Sequence, residues 1–384
     1  MTKKRNPRYV DSSLFVHGMT LTFSMKSAKI NPYIIMKNAV LCTNRGKQSK
    51  RVVLFLERAG FMETMKNIPK VSVIIPVYNV EDYVGECLEC LSRQSFRDFE
   101  IIAVNDGSTD HSLQVLEQWR EKLPNMRILD QENSGAAQAR RAGLALAQGE
   151  YVIFADADDR MSKLYLGSLY QAATNVDADI ACCNYRFDFV SGLKMIYPCR
   201  VNGVLTREDA MRKLIDDWCI QGFLWNKMYR KTLFTEHEIL FPTMCFEDMI
   251  INNQLFYYAN RVAAVKKPLY YYRQRKTSAL NTMDAKKIND FFRAMVMVRS
   301  MLEERGEYKK YERNFRTLCF KTRNCIVYYI IQMHMRQHSS GDLMENIRRA
   351  QRAMKLIISR DVSPYLRQID TNVIRQPLGS QVAV

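Results

Sequence analysis

The 384-residue chain is 47% hydrophobic and carries a net charge of +17, which fits a packed globular protein of one large domain or two ordinary ones. The charge is uneven: residues 1–70 hold +11, residues 71–284 hold −4 and residues 285–384 hold +10. A mildly acidic middle between basic flanks excludes a nucleic-acid enzyme, whose catalytic cleft would carry the positive charge that neutralises phosphates.

Residues 1–68 are polar, basic and interrupted by Asn, Gly and Pro, with no sustained period of 2 or 3.6, so they read as a poorly ordered extension outside the fold. Met62 and Met65 stand just before the first convincing strand, and the segment ahead of them is read as upstream of the native start. MTKKRNPRYVDSSLF has no adjoining apolar stretch of the secretory kind. The ten cysteines form no paired CxxC sets, and Cys87 and Cys90, a lone CxxC, are expected on a helix as reduced thiols. CIVYYIIQM falls well short of the roughly 20 residues of a spanning helix, so the expected location is the cytoplasm.

At Val71 the pattern changes to VSVIIPVYN, a near-continuous β-branched run expected of a central parallel strand covered on both faces. EDYVGECLECLSRQ follows with Tyr83, Val84, Cys87, Leu88 and Leu91 at helical spacing. The strand FEIIAVNDGS, a helix at SLQVLEQWREKL, a short strand at MRILDQ, a helix at GAAQARRAGLALAQ and the strand YVIFAD complete the alternation. The fold class is therefore α/β with a mostly parallel sheet flanked by helices, and ligands are expected at the carboxyl ends of its strands. Further strands, helices and the segment FLWNKMYRKTLF lead to PLYYYRQR, after which a basic helical extension closes the chain.

YVIFADADDR ends a strand with Asp156, Asp158 and Asp159 inside four positions. Three carboxylates so close repel one another unless a cation, an arginine or a shared proton sits among them. A hard divalent cation such as Mg²⁺ or Mn²⁺ suits carboxylate oxygens combined with ligand phosphates. In an extended segment Asp156 and Asp158 would point to the same side, and Asp159 also reads as a helix-start residue. IPVYNVED lacks glycine, and no GxxxxGK[ST] occurs, which removes the main support for hydride transfer on a dinucleotide and for P-loop phosphoryl transfer.

VSVIIPVYN at 71–79, VNDGSTD at 104–110, ENSGAAQARRAG at 132–143 and FADADD at 154–159 resemble, in order and spacing, family 2 glycosyltransferases with the GT-A fold. The resemblance spans roughly residues 70–280, and LWNKMYRKTLF, FED at 246–248 and YYYRQRKTSA at 270–279 look like later segments of bacterial members that build surface polysaccharides. It implies a glycosyltransferase domain over 69–280, a basic helical region over 281–384, and inverting transfer from a nucleotide-diphosphate donor, commonly UDP-linked, to an acceptor hydroxyl. It also implies that Pro76, Tyr78, Asn79 and Glu81 embrace the base and ribose, and that Asp106 binds the base. Asn133, Gly135 and Arg140 match the segment beside the nucleotide and donor sugar, although Arg140 reads equally well as a solvated helix residue. Asp156 is expected near the ribose and Asp158 on the metal, while Asp110 is read as a helix cap.

Inverting transfer needs a general base on the sugar face opposite the departing diphosphate, whose charge a metal stabilises. Asp248, with Glu247 beside it, matches the family's acidic pair; taken alone the two would read as the polar start of a helix. Trp225, Asn226 and Lys227 read equally as acceptor lining and as a packing anchor, and Arg273 and Arg275 are expected to reach the diphosphate or a loop over it. The implied partners are a nucleotide-sugar donor, a glycan or lipid-linked acceptor and, through the basic C-terminal helices, the anionic inner face of the membrane. The rival readings are a nucleotidyltransferase, whose glycine-rich basic signature IPVYNVED lacks, and a degenerate binding protein that retains nucleotide-sugar affinity without turnover.

Overall fold

The computed structural model describes residues 12–16, 19–23, 68–189, 191–198, 201–275, 279–336, 342–359 and 373. Most of the segment read as a poorly ordered extension lies outside the described residues. Within it, β1 (Ser12–Val16) and β2 (Met19–Phe23) pair as an antiparallel hairpin that the sequence reading missed.

From Val71 onward the predicted alternation holds: β3 (Val71–Val77), α1 (Glu81–Ser92), β4 (Phe99–Asp106), α2 (Ser112–Arg120), β5 (Met126–Gln131), α3 (Ala136–Leu146) and β6 (Tyr151–Phe154). The β-branched run of β3 follows from its position. Val71, Val73, Ile75 and Val77 face a core shared with α1 (Val84, Cys87, Leu88, Leu91), whereas Ile74 faces a second core on the opposite side of the sheet. Successive side chains of a strand point to opposite faces, so a strand covered on both sides carries apolar residues facing both ways, and the buried polar Ser72 is satisfied by donating to Glu100 Oε1 at 2.6 Å. β3 pairs in parallel with β4 on one side and β6 on the other, and β5 extends the parallel set beyond β4. β4 and β5 are thus added on one side of β3 and β6 on the other, all pointing the same way, and this switch in the order of strand addition opens a crevice at the carboxyl ends of β3 and β6.

The sheet continues through β7 (Arg160–Met161), β8 (Ile180–Phe189), β9 (Lys194–Ile196), β10 (Gly203–Thr206), β11 (Lys227–Arg230) and β12 (Arg261–Gln274), with α4 (Tyr165–Thr174), α5 (Arg207–Ile215), α6 (Thr232–Thr235) and α7 (Glu247–Tyr258) between them. The order across the sheet is β10-β12-β8-β11-β6-β3-β4-β5, with β7 beside β12 and β9 beside β8. β11 is antiparallel to both β6 and β8, while β12 runs parallel to β8 with a shifted register around Pro268, which cannot donate to the ladder. Gly143 lets α3 lie close on the sheet, because a Cβ there would fall 2.5 Å from Ile74 Cγ2.

After a 3₁₀ turn at Ala279–Thr282 come α8 (Ala285–Glu304), α9 (Tyr308–Arg336) and α10 (Leu343–Ile358). Ile288, Phe292 and Met295 of α8, Phe315 and Ile330 of α9 and Ile357 of α10 belong to the same core as Ile74, Ile251 and Phe256. Fully buried Arg299 ties these helices: it pairs with Glu303 at 2.8 Å, donates to the Ile357 carbonyl and lies over the Tyr308 ring. Among the described residues no helix is long and apolar enough to cross a membrane.

Candidate active site

The loops after β3 and β4 are laced together by short polar side chains. Asn79 adopts φ 50°, a left-handed conformation that asparagine tolerates, and its Oδ1 accepts from the Thr109 N–H at 2.8 Å. Glu81 Oε2 accepts from the His111 N–H at 2.6 Å and meets the His111 ring at 2.8 Å. Asp110 accepts from the first amides of two helices, Glu81 at 3.0 Å and Ser112 at 2.9 Å, so the expected cap serves both α1 and α2. Burial disfavours its charge, but these hydrogen bonds outweigh that and hold its carboxyl below the usual range. Pro76 lies within β3, and Tyr78 beyond it is half exposed at the rim of the crevice.

Asp106 is buried at the end of β4, and both of its oxygens are engaged by the loop expected to flank the nucleotide. Oδ1 accepts from Gln131 Nε2 at 2.8 Å and Ser134 N–H at 3.0 Å, and Oδ2 accepts from Gly135 N–H at 2.9 Å. Its visible work is to fix the entry to α3. Gly107 presses against the same loop: at φ +70° a Cβ would lie 2.7 Å from the Asn133 nitrogen. Asn133 remains exposed there, and Gly135, at φ 87°, begins α3.

One turn into α3 stands Arg140, only 5% exposed, which disposes of the solvated alternative. Nη2 donates to Asp156 Oδ1 at 2.9 Å, and Nη1 donates to Glu247 Oε1 at 2.7 Å and Asp248 Oδ1 at 3.4 Å. Burial alone would weaken its charge, but Asp248, Asp156 and Glu247 hold it more firmly protonated than usual. The aspartate end of β6 and the start of α7 are thereby joined through one guanidinium.

Glu247 and Asp248 open α7 directly after Phe246, a bulky residue at φ 64°. That left-handed backbone is uncommon for a large side chain and persists because the surroundings hold it. The Phe246 ring packs edge-on against Phe291 at 5.1 Å, and the preceding Cys245 N–H donates to buried Asp290 of α8 at 3.1 Å. Asp248 Oδ2 accepts from the Leu224 N–H at 3.3 Å, yet 20% of its side chain stays accessible, enough to meet a substrate hydroxyl. Burial raises its pKa, Arg140 opposes this, and neighbouring Glu247 and Asp156 add to it, so the group is pushed up to about 7. A carboxylate at that value is matched to proton abstraction near neutral pH.

The aspartate segment is not extended as expected. It turns at Ala157–Asp158, with the Asp159 N–H donating to the Asp156 carbonyl at 3.1 Å, so Asp156 faces Arg140 and Asp158 faces Arg275. Asp159 does not start a helix: α4 begins at Tyr165, and Asp159 is fully buried, with Oδ1 accepting from the Arg273 N–H at 2.8 Å. Burial and then Asp156 push the Asp158 carboxyl upward, and Arg275 opposes them. No group of three metal-ligating side chains occurs among the described residues. The donor set still fits a hard cation of the Mg²⁺ or Mn²⁺ type, which binds through one or two carboxylates plus substrate phosphates and keeps water elsewhere. Asp159 Oδ2 is buried without a hydrogen-bond partner among the described residues, and burial, then Asp158 and Asp156, push this carboxyl well above its ordinary range.

Trp225, Asn226 and Lys227 do not line an open surface. Trp225 is buried and stacks on Tyr270 at 4.5 Å and on Phe223 at 4.8 Å. Lys227 is fully buried: Nζ donates to the carbonyl of Gln221 and Oδ1 of Asn226, each at 2.8 Å, and to the carbonyl of Phe223. Asn252 of α7 adds a hydrogen bond to the Gly222 carbonyl at 2.6 Å. Together they set the loop that delivers the Leu224 N–H to Asp248. Sequence reading missed this backbone donor, and it also missed Tyr270, whose hydroxyl accepts from the Asp156 N–H at 3.1 Å. Backbone groups carry no sequence signal, and YYYRQR does not say which tyrosine faces the site. Arg273 and Arg275 both lie over the Tyr83 ring, at 5.0 and 4.9 Å, with Arg273 also paired to Glu86 at 2.6 Å. Cys87 of the lone CxxC is buried, which pushes its thiol well above the ordinary range and leaves it unreactive.

Glycosyl transferase family 2 matches residues 72–246, a span running from β3 to the residue before Glu247. The chain is 29% identical over 254 residues to the putative glycosyltransferase EpsH of Bacillus subtilis (strain 168), covering 65% of this chain and 74% of that protein. It is 32% identical over 248 residues to the uncharacterized glycosyltransferase YibD of Escherichia coli (strain K12), covering 62% and 72% respectively. The crystal structure of Staphylococcus aureus TarS 1-349 in complex with UDP-GlcNAc superposes with a TM-score of 0.56 at 23% identity, over 78% of this chain and 92% of that one, and shares its fold. These likenesses in sequence and fold define the class of protein: a nucleotide-sugar glycosyltransferase. The chain belongs to glycosyl transferase family 2.

Proposed function

We propose that this enzyme transfers a sugar, with inversion, from a UDP-linked donor to an acceptor hydroxyl in the synthesis of a surface polysaccharide or glycolipid. The observation that carries the reading is the meeting of Asp156, Glu247 and Asp248 on Arg140, which joins a donor-holding strand end to a separate, partly open carboxylate with a pKa near 7.

In this reading Tyr78 and the Asn79–Glu81 loop flank the base and ribose, and Asp106 holds the Asn133–Gly135 loop against the nucleotide. Asp156 meets the ribose. Asp158 would hold the divalent cation, which supplies charge stabilisation for the departing diphosphate when bound. Asp248 accepts the acceptor hydroxyl proton as the glycosidic bond breaks, while Arg140 and the Leu224 N–H keep its carboxylate aimed. Glu247 neutralises part of the Arg140 charge. A UDP donor is favoured by the UDP-GlcNAc held on the same fold in TarS. The acceptor is a glycan or a lipid-linked glycan met at the cytoplasmic face of the membrane, with the exposed basic residues of α9 and α10 toward the lipid.

The test is Asp248→Asn. It is expected to lower transfer from a UDP-sugar by at least about a thousandfold while UDP affinity in the presence of Mn²⁺ stays unchanged. Undiminished turnover would remove Asp248 as the base. A wild-type chain that binds UDP-sugars but turns none over with any acceptor would be a binding protein.

A further inference from the structure

We propose that Arg275 is the built-in counter-cation of the donor site, standing on Asp158 where a divalent cation binds, so that arginine and metal are alternative partners of one carboxylate. The inference rests on the reading of Asp158 as the metal-holding residue.

Arg275 Nη2 forms an ion pair with Asp158 Oδ2, and both side chains are about four-fifths buried, with 21% and 17% accessible. The arginine is placed there by structure on both sides. Its guanidinium lies over the Tyr83 ring of α1 at 4.9 Å, and Arg273 occupies the same ring at 5.0 Å. Arg273 in turn is anchored by its N–H on Asp159 and its guanidinium on Glu86. The paired register of β12 with β8 ends at Gln274, so Arg275 is the first residue beyond the ladder. Its side chain therefore ties the end of β12 to the aspartate turn.

The electrostatic need is plain. Asp156, Asp158 and Asp159 crowd one turn; Asp156 pairs with Arg140 and Asp159 accepts from the Arg273 N–H, which leaves Asp158 to be balanced by a cation of its own in the absence of ligand. Arg275 supplies it. A divalent ion approaching the same oxygens meets a fixed positive charge at contact distance and must displace it. The nucleotide sugar rewards that displacement, because its diphosphate offers the freed guanidinium a bidentate partner within the same ligand. Metal and donor are thereby made to bind together, and the metal alone binds weakly.

The experiment measures Mn²⁺ binding to the full chain without nucleotide, by the electron paramagnetic resonance signal of the free ion, in wild type, Arg275→Gln, Arg275→Lys and Asp158→Asn. Arg275→Gln should bind Mn²⁺ about tenfold more tightly than wild type, and its affinity for UDP in saturating Mn²⁺ should fall. Arg275→Lys keeps the charge and should stay within about threefold of wild type. Asp158→Asn should lose the site. If Asp158→Asn binds Mn²⁺ as wild type does, the metal assignment itself is wrong. If Asp158→Asn loses the site but Arg275→Gln binds no tighter than wild type, or Arg275→Lys gains as much as Arg275→Gln, competition by Arg275 is overturned. Circular dichroism of each variant separates these outcomes from misfolding.

Discussion

Arg140 Nη1 lies 2.7 Å from Glu247 Oε1 although 107 positions separate the two residues in the chain. This contact ties α3 to the start of α7 and puts one guanidinium among Asp156, Glu247 and Asp248. Arg140→Lys keeps one charge but loses the fork that meets three carboxylates. Transfer should fall by about a hundredfold or more, as for loss of preorganised charge stabilisation. Because Arg140 opposes the upward shift of Asp248, the acidic limb of the kcat/KM profile should also move to higher pH. A rate loss with an unmoved limb would deny this coupling.

In the wild-type enzyme the Asp248 pKa near 7 makes kcat/KM rise through neutral pH as the base ionises. The same group affects stability in the opposite sense. Its folded pKa lies above the unfolded value, so its contribution to stability is full below about pH 4 and is lost as pH rises through 7. Asp248→Asn should therefore flatten the pH dependence of the melting temperature between about 4 and 7, as differential scanning calorimetry would record.

Lys227→Met replaces the ammonium that holds the loop from Gln221 to Asn226. The buried carbonyls left without a donor should cost about 2 to 4 kcal/mol, read as a lower denaturation midpoint. Burial holds the Lys227 pKa down at about 8, so in wild type this group adds stability as pH rises from about 8 toward its ordinary 10.5. The variant should lack that rise.

Gly143→Ala places a methyl 2.5 Å from Ile74 Cγ2 and 3.2 Å from Val104 Cγ2. Overpacking of this kind costs about 1 to 3 kcal/mol. Since α3 also carries Arg140, kcat should drop together with melting temperature, whereas a stability loss at full kcat would show that the sheet, not the helix, yields.

The α9 face bearing Arg313, Arg316, Phe320, Arg323, Tyr328 and Met335 is exposed. Reversing Arg313, Arg316 and Arg323 to Glu should abolish sedimentation with vesicles rich in anionic lipid, each cation contributing about 1 kcal/mol near such a surface. Equal sedimentation of variant and wild type would remove the membrane from the proposed function.

The alternating strands and helices from Val71 to Phe154 were legible in the sequence because a strand buried on both faces is apolar along most of its length, and few other environments demand that. The acidic strand ends were legible for the complementary reason that clustered carboxylates are too unfavourable to persist without a purpose. The β1–β2 hairpin escaped notice because Met19, Leu21 and Phe23 alternate over too few positions to stand out. Only the tertiary structure decided what each charge meets. Arg140, Lys227 and Arg275 all lie in stretches the sequence marked out, yet nothing local tells a buried guanidinium shared by three carboxylates from a solvated side chain. Periodicity is a property of neighbours along the chain, whereas the pKa of Asp248 and the partner of Asp158 depend on groups brought together from distant positions. The pattern in the sequence therefore specified the scaffold, and long-range packing assigned the chemistry.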